Sequence, residues 1–308
     1  MTVVALRALG LGDFLTAVPV FRALGKAFPQ HDKLLAAPKA LAPLATLVDG
    51  IDEVIDAAPL SPLTSELYDA DIAIDLHGKG PQSHELLIAT RPRRFIAFEN
   101  DRVPQSYGQP RWRPDEHEVD RWCRLMAEHH IAADPADLRL PKPKTRMSQR
   151  VRAPTLLHPG AKSASRRWPI ERWIAVARHE RSRGRQVVLT GNSQERATCE
   201  MVAHAARIPM RDVFAGRTDS LELASLVAHA GRVVCGDTGV AHLATAFMTP
   251  SVLLFGPTDP AHWGPTIDKE LHRVIWYGTT GDPHGDALDS SLSRITVADV
   301  LEQLAELA

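Results

Sequence analysis

The sequence predicts an α/β protein made of two Rossmann-like halves, and three features carry this prediction. Short apolar, β-branched runs recur along the chain, and each ends in a turn that leads into a segment with helical periodicity. This pattern starts at residue 2 and starts again at residue 155. A stretch rich in proline and charge, 134–153, separates the two halves. Because alternating strands and helices build parallel sheets, we expect one domain over residues 1–150 and a second over residues 151–308.

The composition is that of an ordinary globular protein and argues against several classes of function. The chain is 44% hydrophobic and 24% charged, and its net charge of −1 argues against a nucleic-acid partner. Cys123, Cys199 and Cys235 are too far apart for a zinc motif or a disulfide framework. No stretch has the length and apolarity needed to span a membrane, and no signal-peptide pattern precedes the first strand. We therefore expect a cytoplasmic monomer that meets a membrane only transiently.

The N-terminal half opens with an apolar run, 2–9, that predicts a buried strand. Gly10 and Gly12 then turn the chain into a helix that is expected to reach residue 28. No third glycine follows and no acidic residue closes the second strand, so the dinucleotide fingerprint is absent and a nicotinamide enzyme is not indicated. Asp13 occupies the position expected for a helix cap, where the helix dipole favours a negative charge.

Further strands are predicted in this half at 33–37, 53–57 and 71–78. Asp75 and His77 at the end of the last strand, and Lys79 just after it, lie at the edge where the carboxyl ends of parallel strands meet. These side chains can contact an acceptor or can simply satisfy the turn backbone. The Asp69–Asp71 pair resembles a D-x-D metal motif, but it precedes its strand, so we expect no metal site there.

After a basic turn and strand at 91–98, a polar loop at 101–115 carries Tyr107, Trp112 and Arg113 and is followed by a helix at 117–130. An aromatic ring and a guanidinium group suit a sugar or a phosphorylated acceptor. A solvated loop anchored by one tryptophan is the alternative interpretation.

The C-terminal half begins with a strand at 155–158 and a loop that contains Lys162, Arg166 and Arg167 before a helix that starts near Pro169. Small residues in this loop let backbone donors face a ligand, so a polyanion is the natural partner. A solvated basic loop is the alternative.

Later strand, turn and helix units complete this half. Strands are predicted at 186–190, 212–215, 232–235, 251–255 and 272–277, and helices at 195–207, 240–247 and 297–307. The glycine turn 236–239 offers an anion site at the start of a helix, where Asp237 or Thr238 can act as the cap. The alternative interpretation is that these residues cap the helix and bind no ligand.

Two motifs of the C-terminal half closely resemble glycosyltransferase family 9, which includes the ADP-heptose:lipopolysaccharide heptosyltransferases. They are D-T-G-x-x-H at 237–242 and F-G-P-T-D-P at 255–260. The resemblance extends over nearly the whole chain and implies the GT-B fold, two Rossmann-like domains facing across a cleft. Gly12-Asp13, with Pro19 at the matching distance, resembles the segment that holds the family's general base, so Asp13 is the implied catalytic residue.

The resemblance also implies how the donor is bound. Arg166 stands where many relatives have a lysine that contacts the diphosphate, and Glu195 is the nearest match to an acidic residue that binds the ribose. The full implied donor set is Gly160, Lys162, Ser163, Arg166, Glu195, Asp219, Asp237, Thr238, Gly239, Val240 and His242. The candidate acceptor residues are Gly12, His77, Lys79, Trp112 and Arg113.

The implied activity is that of an inverting, metal-independent glycosyltransferase without a cofactor, which moves heptose from ADP-heptose to an acceptor hydroxyl. A nucleotide-sugar epimerase of the same fold and a non-catalytic sugar-nucleotide binding protein are the alternatives. The nucleotide base rests on the resemblance alone. The transferred sugar and the acceptor, which can be a glycan, a lipid-linked core or a small molecule, stay open.

Overall fold

The computed structural model describes residues 1–307 and contains two compact units that divide between Leu138 and Arg139. The predicted boundary at 150 lies further along the chain. Residues after Arg139 belong to the second unit because the Leu140 amide donates to the Ala246 carbonyl at 2.9 Å. The Thr145 amide likewise donates to Ser225 Oγ at 3.2 Å. The proline-rich stretch is therefore mostly a folded part of the second unit and not a free linker.

The first unit contains a five-stranded parallel sheet with the order β3-β2-β1-β4-β5. Its strands are β1 (Thr2–Leu6), β2 (Asp32–Ala37), β3 (Glu53–Asp56), β4 (Ile72–Asp75) and β5 (Arg94–Ile96). Its helices are α1 (Leu11–Thr16), α2 (Val18–Ala27), α3 (Ala42–Ala45), α4 (Gln82–Ala89) and α5 (Glu118–Glu128). The chain runs outward from β1 on one side and returns to pair β4 on the other. The loops after β1 and β4 therefore border the switch point where Rossmann-like sheets bind ligands.

The second unit repeats this plan with the strand order β10-β9-β8-β6-β7, again all parallel. Its strands are β6 (Thr155–His158), β7 (Val187–Leu189), β8 (Arg232–Gly236), β9 (Ser251–Leu254) and β10 (His272–Ile275). Its helices are α6 (Ile170–Ser182), α7 (Arg196–Ala206), α8 (Ser220–Ala228), α9 (Gly239–Ala246), α10 (Pro260–Trp263), α11 (Ser290–Arg294) and α12 (Val297–Glu306). The switch point of this sheet lies between β6 and β8.

Each sheet has its own apolar core. In the first unit Val4, Leu6 and Ala73 are among the buried residues of one such cluster, and in the second Leu157 and Val234 are. The three cysteines are buried and unpaired. No helix within residues 1–307 is both long enough and apolar enough to cross a membrane.

Two predicted elements differ from the structure. The helix expected to run from the first turn to residue 28 is broken at Ala17, where α1 ends and α2 begins with Pro19 in its first turn. The strand predicted at 212–215 is reduced to a single bridge between Val213 and Leu189. This segment lies at the free edge beside β7 and is followed by Gly216 with a positive φ of 68°, which turns the chain away from the sheet.

Candidate functional site

The loop after β6 and the turn after β8 meet through one arginine. Arg166 ends a short 3-10 helix, and its Nη1 donates to the Asp237 carbonyl oxygen at 3.1 Å. The same nitrogen lies 3.5 Å from the Asp237 carboxylate. The Arg166 Nε atom is buried and has no hydrogen-bond partner within residues 1–307. The guanidinium group is therefore fixed at the switch point of the second sheet with an N–H still to be satisfied.

The turn that Arg166 holds opens α9. Thr238 occupies the N-cap position, as predicted for Asp237 or Thr238, but its side chain makes no capping hydrogen bond to this helix. The Asp237 carboxylate faces Arg166 instead, and the Thr238 backbone is extended. The first-turn amides of Gly239 and Val240 have no acceptor within the helix. Backbone N–H groups and a helix dipole without a capping side chain favour an anionic ligand at this point.

His242 lies one turn into α9. Its half-buried ring packs edge-on against Trp263 of α10, with the ring centroids 6.0 Å apart. Asp259 caps α10 by accepting a hydrogen bond from the Ala261 amide at 2.8 Å. The F-G-P-T-D-P segment at 255–260 therefore leads into α10 and positions the Trp263 ring that His242 contacts.

Glu195 lies directly against the backbone of the loop that follows β6. A Cβ atom on Gly160 would lie 2.1 Å from the Glu195 carboxylate, so a side chain at position 160 would displace this carboxylate. The carboxylate also accepts a hydrogen bond from the Asn192 amide at 2.8 Å. Burial lowers the pKa of the neighbouring His158, whose Nδ1 shares a hydrogen bond with Thr190. The Glu195 carboxylate is thus placed at the same sheet edge as Arg166.

The remaining predicted donor residues of this unit have simpler surroundings. Lys162 is exposed and Ser163 is half-buried. Asp219 caps α8 by accepting a hydrogen bond from the Glu222 amide at 2.7 Å. Arg167 donates to the carbonyl oxygens of Ala161 and Lys162, so it shapes the loop that carries the basic residues.

In the first unit, Asp13 lies in the first turn of α1 and is not its cap. The N-cap residue is Gly10, and the Asp13 carboxylate accepts a hydrogen bond from the Gly10 amide at 3.2 Å. The predicted N-cap position of Asp13 is wrong because the helix begins at Leu11, but the carboxylate still takes part in capping as the third residue of the helix. The carboxylate is 28% exposed, so a ligand can reach it.

Arg7 contacts the turn that carries Asp13, and it was not singled out from the sequence. Its side chain is fully buried, and its Nε donates to the Asp13 carbonyl oxygen. One terminal nitrogen donates to the Leu76 carbonyl oxygen, and the other donates to Thr16 Oγ1 and Glu118 Oε1, both at 3.0 Å. The latter nitrogen lies 3.9 Å from the Asp13 carboxylate. One guanidinium group therefore ties α1 to the end of β4 and to α5. The only signal in the sequence is a single charge within an apolar run.

His77 lies at the end of β4 and belongs to the same edge. Its amide donates to the Asp75 carboxylate at 2.8 Å, and its Nδ1 is buried without a partner among the described residues. Burial lowers the pKa of His77, the Arg7 charge adds to this effect, and the charges of Asp75 and Asp13 oppose it. The structure thus brings a neutral imidazole into the electrostatic neighbourhood of Asp13. Lys79, two residues further on, is exposed.

Asp75 supports the backbone and does not face a ligand. Its carboxylate is buried and lies 2.7 Å from His84 Nδ1, while His84 Nε2 lies 2.8 Å from the Phe98 carbonyl oxygen. Burial alone would lower the pKa of His84, but the hydrogen bond to Asp75, its charge and the Phe98 carbonyl raise it. Because both ring nitrogens face acceptors, these contacts favour the imidazolium form of His84, paired with Asp75.

The aromatic loop of the first unit is anchored by its tryptophan. The Trp112 ring packs edge-on against Phe98, with the centroids 5.2 Å apart, and the Arg121 guanidinium lies 4.2 Å from the Trp112 ring centroid. Arg113 is exposed, and its guanidinium lies 3.9 Å from the Glu116 carboxylate. Trp112 is therefore largely a packing residue, whereas Arg113 remains accessible.

Parallel five-stranded sheets with a cationic loop and an uncapped helix at a switch point are the arrangement of a Rossmann-like α/β protein with a candidate anion site. The family follows from comparison with known proteins. The chain belongs to glycosyltransferase family 9 (heptosyltransferase), whose model matches residues 70–281. The family predicted from the motifs is confirmed, and the enzyme class of that family is glycosyltransferase.

Individual relatives agree with this assignment. The chain is 31% identical over 158 residues to lipooligosaccharide heptosyltransferase 2 of Haemophilus influenzae, and this match covers 48% of the chain and 45% of the relative. The match thus spans about half the length of that relative. The structure resembles E. coli ADP-heptose LPS heptosyltransferase II with a TM-score of 0.79 and 23% identity, covering 100% of this chain and 98% of the other. It also resembles E. coli heptosyltransferase WaaC with ADP, with a TM-score of 0.73 and 18% identity over 100% of both chains. The predicted GT-B fold class is confirmed.

Proposed function

We propose that this protein is an inverting glycosyltransferase that moves heptose from ADP-heptose to a hydroxyl group of a lipopolysaccharide-type acceptor, without a metal ion or another cofactor. Membership of family 9 supports the class of reaction. The relative from H. influenzae is a lipooligosaccharide heptosyltransferase, and a structural neighbour is named as an ADP-heptose enzyme. The observation that carries the proposal is the fixed Arg166 guanidinium with its unsatisfied Nε beside the uncapped start of α9.

The second unit supplies the leaving-group chemistry. When the bond between the anomeric carbon and the diphosphate breaks, negative charge accumulates on the departing phosphate oxygen. Arg166 and the amides of Gly239 and Val240 are held in place before the reaction, so they stabilise that charge without reorganising. The loss of one fixed donor of this kind costs about 3 kcal/mol or more. A guanidinium group performs here the charge stabilisation for which other transferases use a metal ion.

The first unit supplies the base. Asp13 accepts the proton of the acceptor hydroxyl. The hydroxyl oxygen bonds to the anomeric carbon from the face opposite the diphosphate, so the configuration inverts. A positioned base of this kind contributes on the order of 10²- to 10⁴-fold in rate. The Gly10 amide and the Arg7 network hold the Asp13 turn in one geometry.

Binding of the rest of the donor is assigned by the same reasoning. Glu195 accepts hydrogen bonds from the ribose hydroxyls, since its carboxylate lies at the sheet edge next to the diphosphate loop. The loop that contains Asp219 contacts the adenine through its backbone. The remaining residues of the donor set are Gly160, Lys162, Ser163, Asp237, Thr238 and His242. The acceptor contacts Gly12, His77, Lys79 and Arg113, and Trp112 anchors the loop that carries Arg113.

The acceptor that we propose is a glycan carried by a lipid, and the protein acts as a monomer at the cytoplasmic face of the membrane that holds this lipid. The epimerase and the non-catalytic binding protein are the competing activities. An epimerase converts the donor without an acceptor, and a binding protein leaves the donor intact.

The experiment is a calorimetric titration with ADP-heptose, ADP-mannose, UDP-glucose and GDP-mannose in the presence of a chelator, followed by product analysis with and without acceptor. We expect ADP-sugars to bind best and the sugar to be transferred only when acceptor is present, with an inverted anomeric configuration. Conversion without acceptor, binding without turnover, or a strict need for a divalent metal would each refute the corresponding part of the proposal.

A further inference from the structure

The second unit opens with a strongly basic segment that the candidate site does not use. Between Asp137 and Glu171 the chain has nine lysine or arginine residues and no aspartate or glutamate. Three of the nine lie in the loop after β6, and Arg139 pairs with Asp268 at 2.5 Å. The other five are all exposed and form what we call the basic strap, residues 142–152: Lys142, Lys144, Arg146, Arg150 and Arg152.

The basic strap is a fixed part of the folded surface. The Thr145 amide donates to Ser225 Oγ at 3.2 Å, and Ser225 Oγ donates to the Pro143 carbonyl oxygen at 2.8 Å. At the other end the Arg152 amide donates to Gln186 Oε1 at 3.1 Å. The cations therefore project from a backbone that is bound to α8 and to the start of β7. Fixed cations lose less conformational freedom on binding than those of a free tail.

None of the five cations of the strap has an acidic partner in the part of the chain that the structure describes. The Arg150 guanidinium lies 5.9 Å from the Phe214 ring centroid, and Gln186 links Arg152 to Asp212. These contacts place the strap beside the segment 210–214, which adds the exposed side chains of Met210 and Arg211. The surface thus combines unneutralised positive charge with an exposed apolar side chain.

The basic strap is separate from the candidate donor site. It leads directly into the amino end of β6, whereas Arg166 follows the carboxyl end of the same strand. The two ends of parallel strands lie at opposite edges of a sheet. Strap substitutions can therefore be tested without altering the donor-binding residues.

We propose that the basic strap, together with Met210 and Arg211, docks on the anionic phospholipid head groups of a membrane surface. This inference rests on the proposed function, because a lipid-linked acceptor is presented at such a surface. Each lysine or arginine near an anionic bilayer strengthens binding by about fivefold, and an apolar side chain can enter the interface. A single-stranded nucleic acid fits less well, since the strap has no aromatic residue on which a base can stack.

The test is vesicle co-sedimentation of the full chain with phosphatidylcholine alone and with about 30% phosphatidylglycerol, at low salt and at about 300 mM salt. We expect binding only to the anionic vesicles and weaker binding at high salt. The variant Lys142→Gln/Lys144→Gln/Arg146→Gln should bind about a hundredfold more weakly. The matched control is Lys26→Gln/Lys269→Gln/Arg196→Gln, which removes the same charges from exposed positions elsewhere and should bind like wild type.

Several outcomes would overturn the proposal. They are equal binding to both kinds of vesicle, an equal loss in strap and control variants, and a strap variant that loses single-stranded nucleic acid while it keeps the vesicles. Calorimetry with ADP-heptose on the same variants tests the proposed function separately from the docking surface. Together with circular dichroism, it also shows that the variants are folded. Strap-dependent vesicle binding without ADP-heptose binding refutes the proposed function alone, whereas ADP-heptose binding without vesicle binding refutes the docking surface alone.

Discussion

Arg166 contacts Asp237 twice, because Nη1 donates to the Asp237 carbonyl oxygen at 3.1 Å and lies 3.5 Å from its carboxylate. This pairing offsets the one negative charge that would otherwise face an anionic donor at the turn into α9. The planar guanidinium holds the turn with one nitrogen while its buried Nε has no hydrogen-bond partner within residues 1–307, whereas an ammonium group is a single point of charge.

Replacing Arg166 tests the leaving-group assignment. We expect Arg166→Ala to lower kcat by about 10²- to 10³-fold, because one fixed donor to the departing diphosphate is lost. Arg166→Lys should fall between this variant and wild type, since the charge stays and the forked geometry is lost. Steady-state assays of ADP release measure both. Arg273→Ala, which removes a half-buried arginine paired with Glu306, is the control, and near-normal turnover of Arg166→Ala would refute the role.

Replacing Asp13 by asparagine separates binding from chemistry. The amide keeps the shape of the carboxylate and can still accept from the Gly10 amide, but it cannot take up the acceptor proton. We expect Asp13→Asn to bind ADP-heptose with an unchanged Kd and to lose at least about 10²-fold in transfer rate. Asp115→Asn, in the exposed part of the aromatic loop, is the matched control. Transfer at the wild-type rate by Asp13→Asn would remove Asp13 from the mechanism.

The buried pair of Arg7 and Glu118 makes a prediction about stability. The two side chains are 0% and 7% exposed and lie 3.0 Å apart, so Arg7→Met leaves a carboxylate buried with one cationic partner fewer. We expect a loss of roughly 3 to 5 kcal/mol in the free energy of unfolding. Urea denaturation measures it, and the double variant Arg7→Met/Glu118→Gln should recover part of the loss because the buried Glu118 carboxylate is then neutral. The recovery is only partial, since the Arg121 guanidinium also loses Glu118 as its acidic partner. Additive losses in the double variant would show that the pair is not coupled.

The sequence predicts the strands well because apolar runs bounded by turns are a local signal. The strand at 155–158 has the predicted bounds, and the loops with Asp13 and Arg166 follow the strands that were expected to carry them. Arg7 escaped prediction because its partners Leu76 and Glu118 are 69 and 111 residues away. The unit boundary was predicted too late for a similar reason, since the contacts that hold the proline-rich stretch come from Ser225 in α8 and Ala246 in α9.

The family motifs predicted the position of the turn at 237–239, but they did not predict the contacts that its side chains make. An aspartate and a threonine before a helix indicate a cap on local grounds. The Asp237 carboxylate is instead engaged by Arg166, 71 residues earlier in the chain, and the helix start is left open. A long-range ion pair thus overrides a local preference at the point where the ligand is proposed to bind.

The ion pair between His84 and Asp75 predicts how stability depends on pH. The pKa of His84 is raised above 6.5 in the folded protein, so the folded state binds the proton more tightly than the unfolded chain does. This contribution to stability is fully present below about pH 6.5 and is lost as the pH rises through the raised pKa of the folded state. His77 acts in a different window. Its pKa is lowered, so stability should fall as the pH drops below 6.5 toward the pKa of His77 in the folded state.

Urea denaturation from about pH 5 to about pH 9 resolves the two windows. We expect the free energy of unfolding to decline above about pH 6.5 in the wild type and the decline to be weaker in His84→Gln, which cannot form the imidazolium. His204→Gln, an exposed histidine on α7, is the control and should keep the wild-type profile. A decline of the same size in His84→Gln would show that another group titrates there. The expected result means that the ion pair between His84 and Asp75 stabilises the backbone turn from Asp75 to His77, which lies next to Asp13. This ion pair exists only while His84 is protonated.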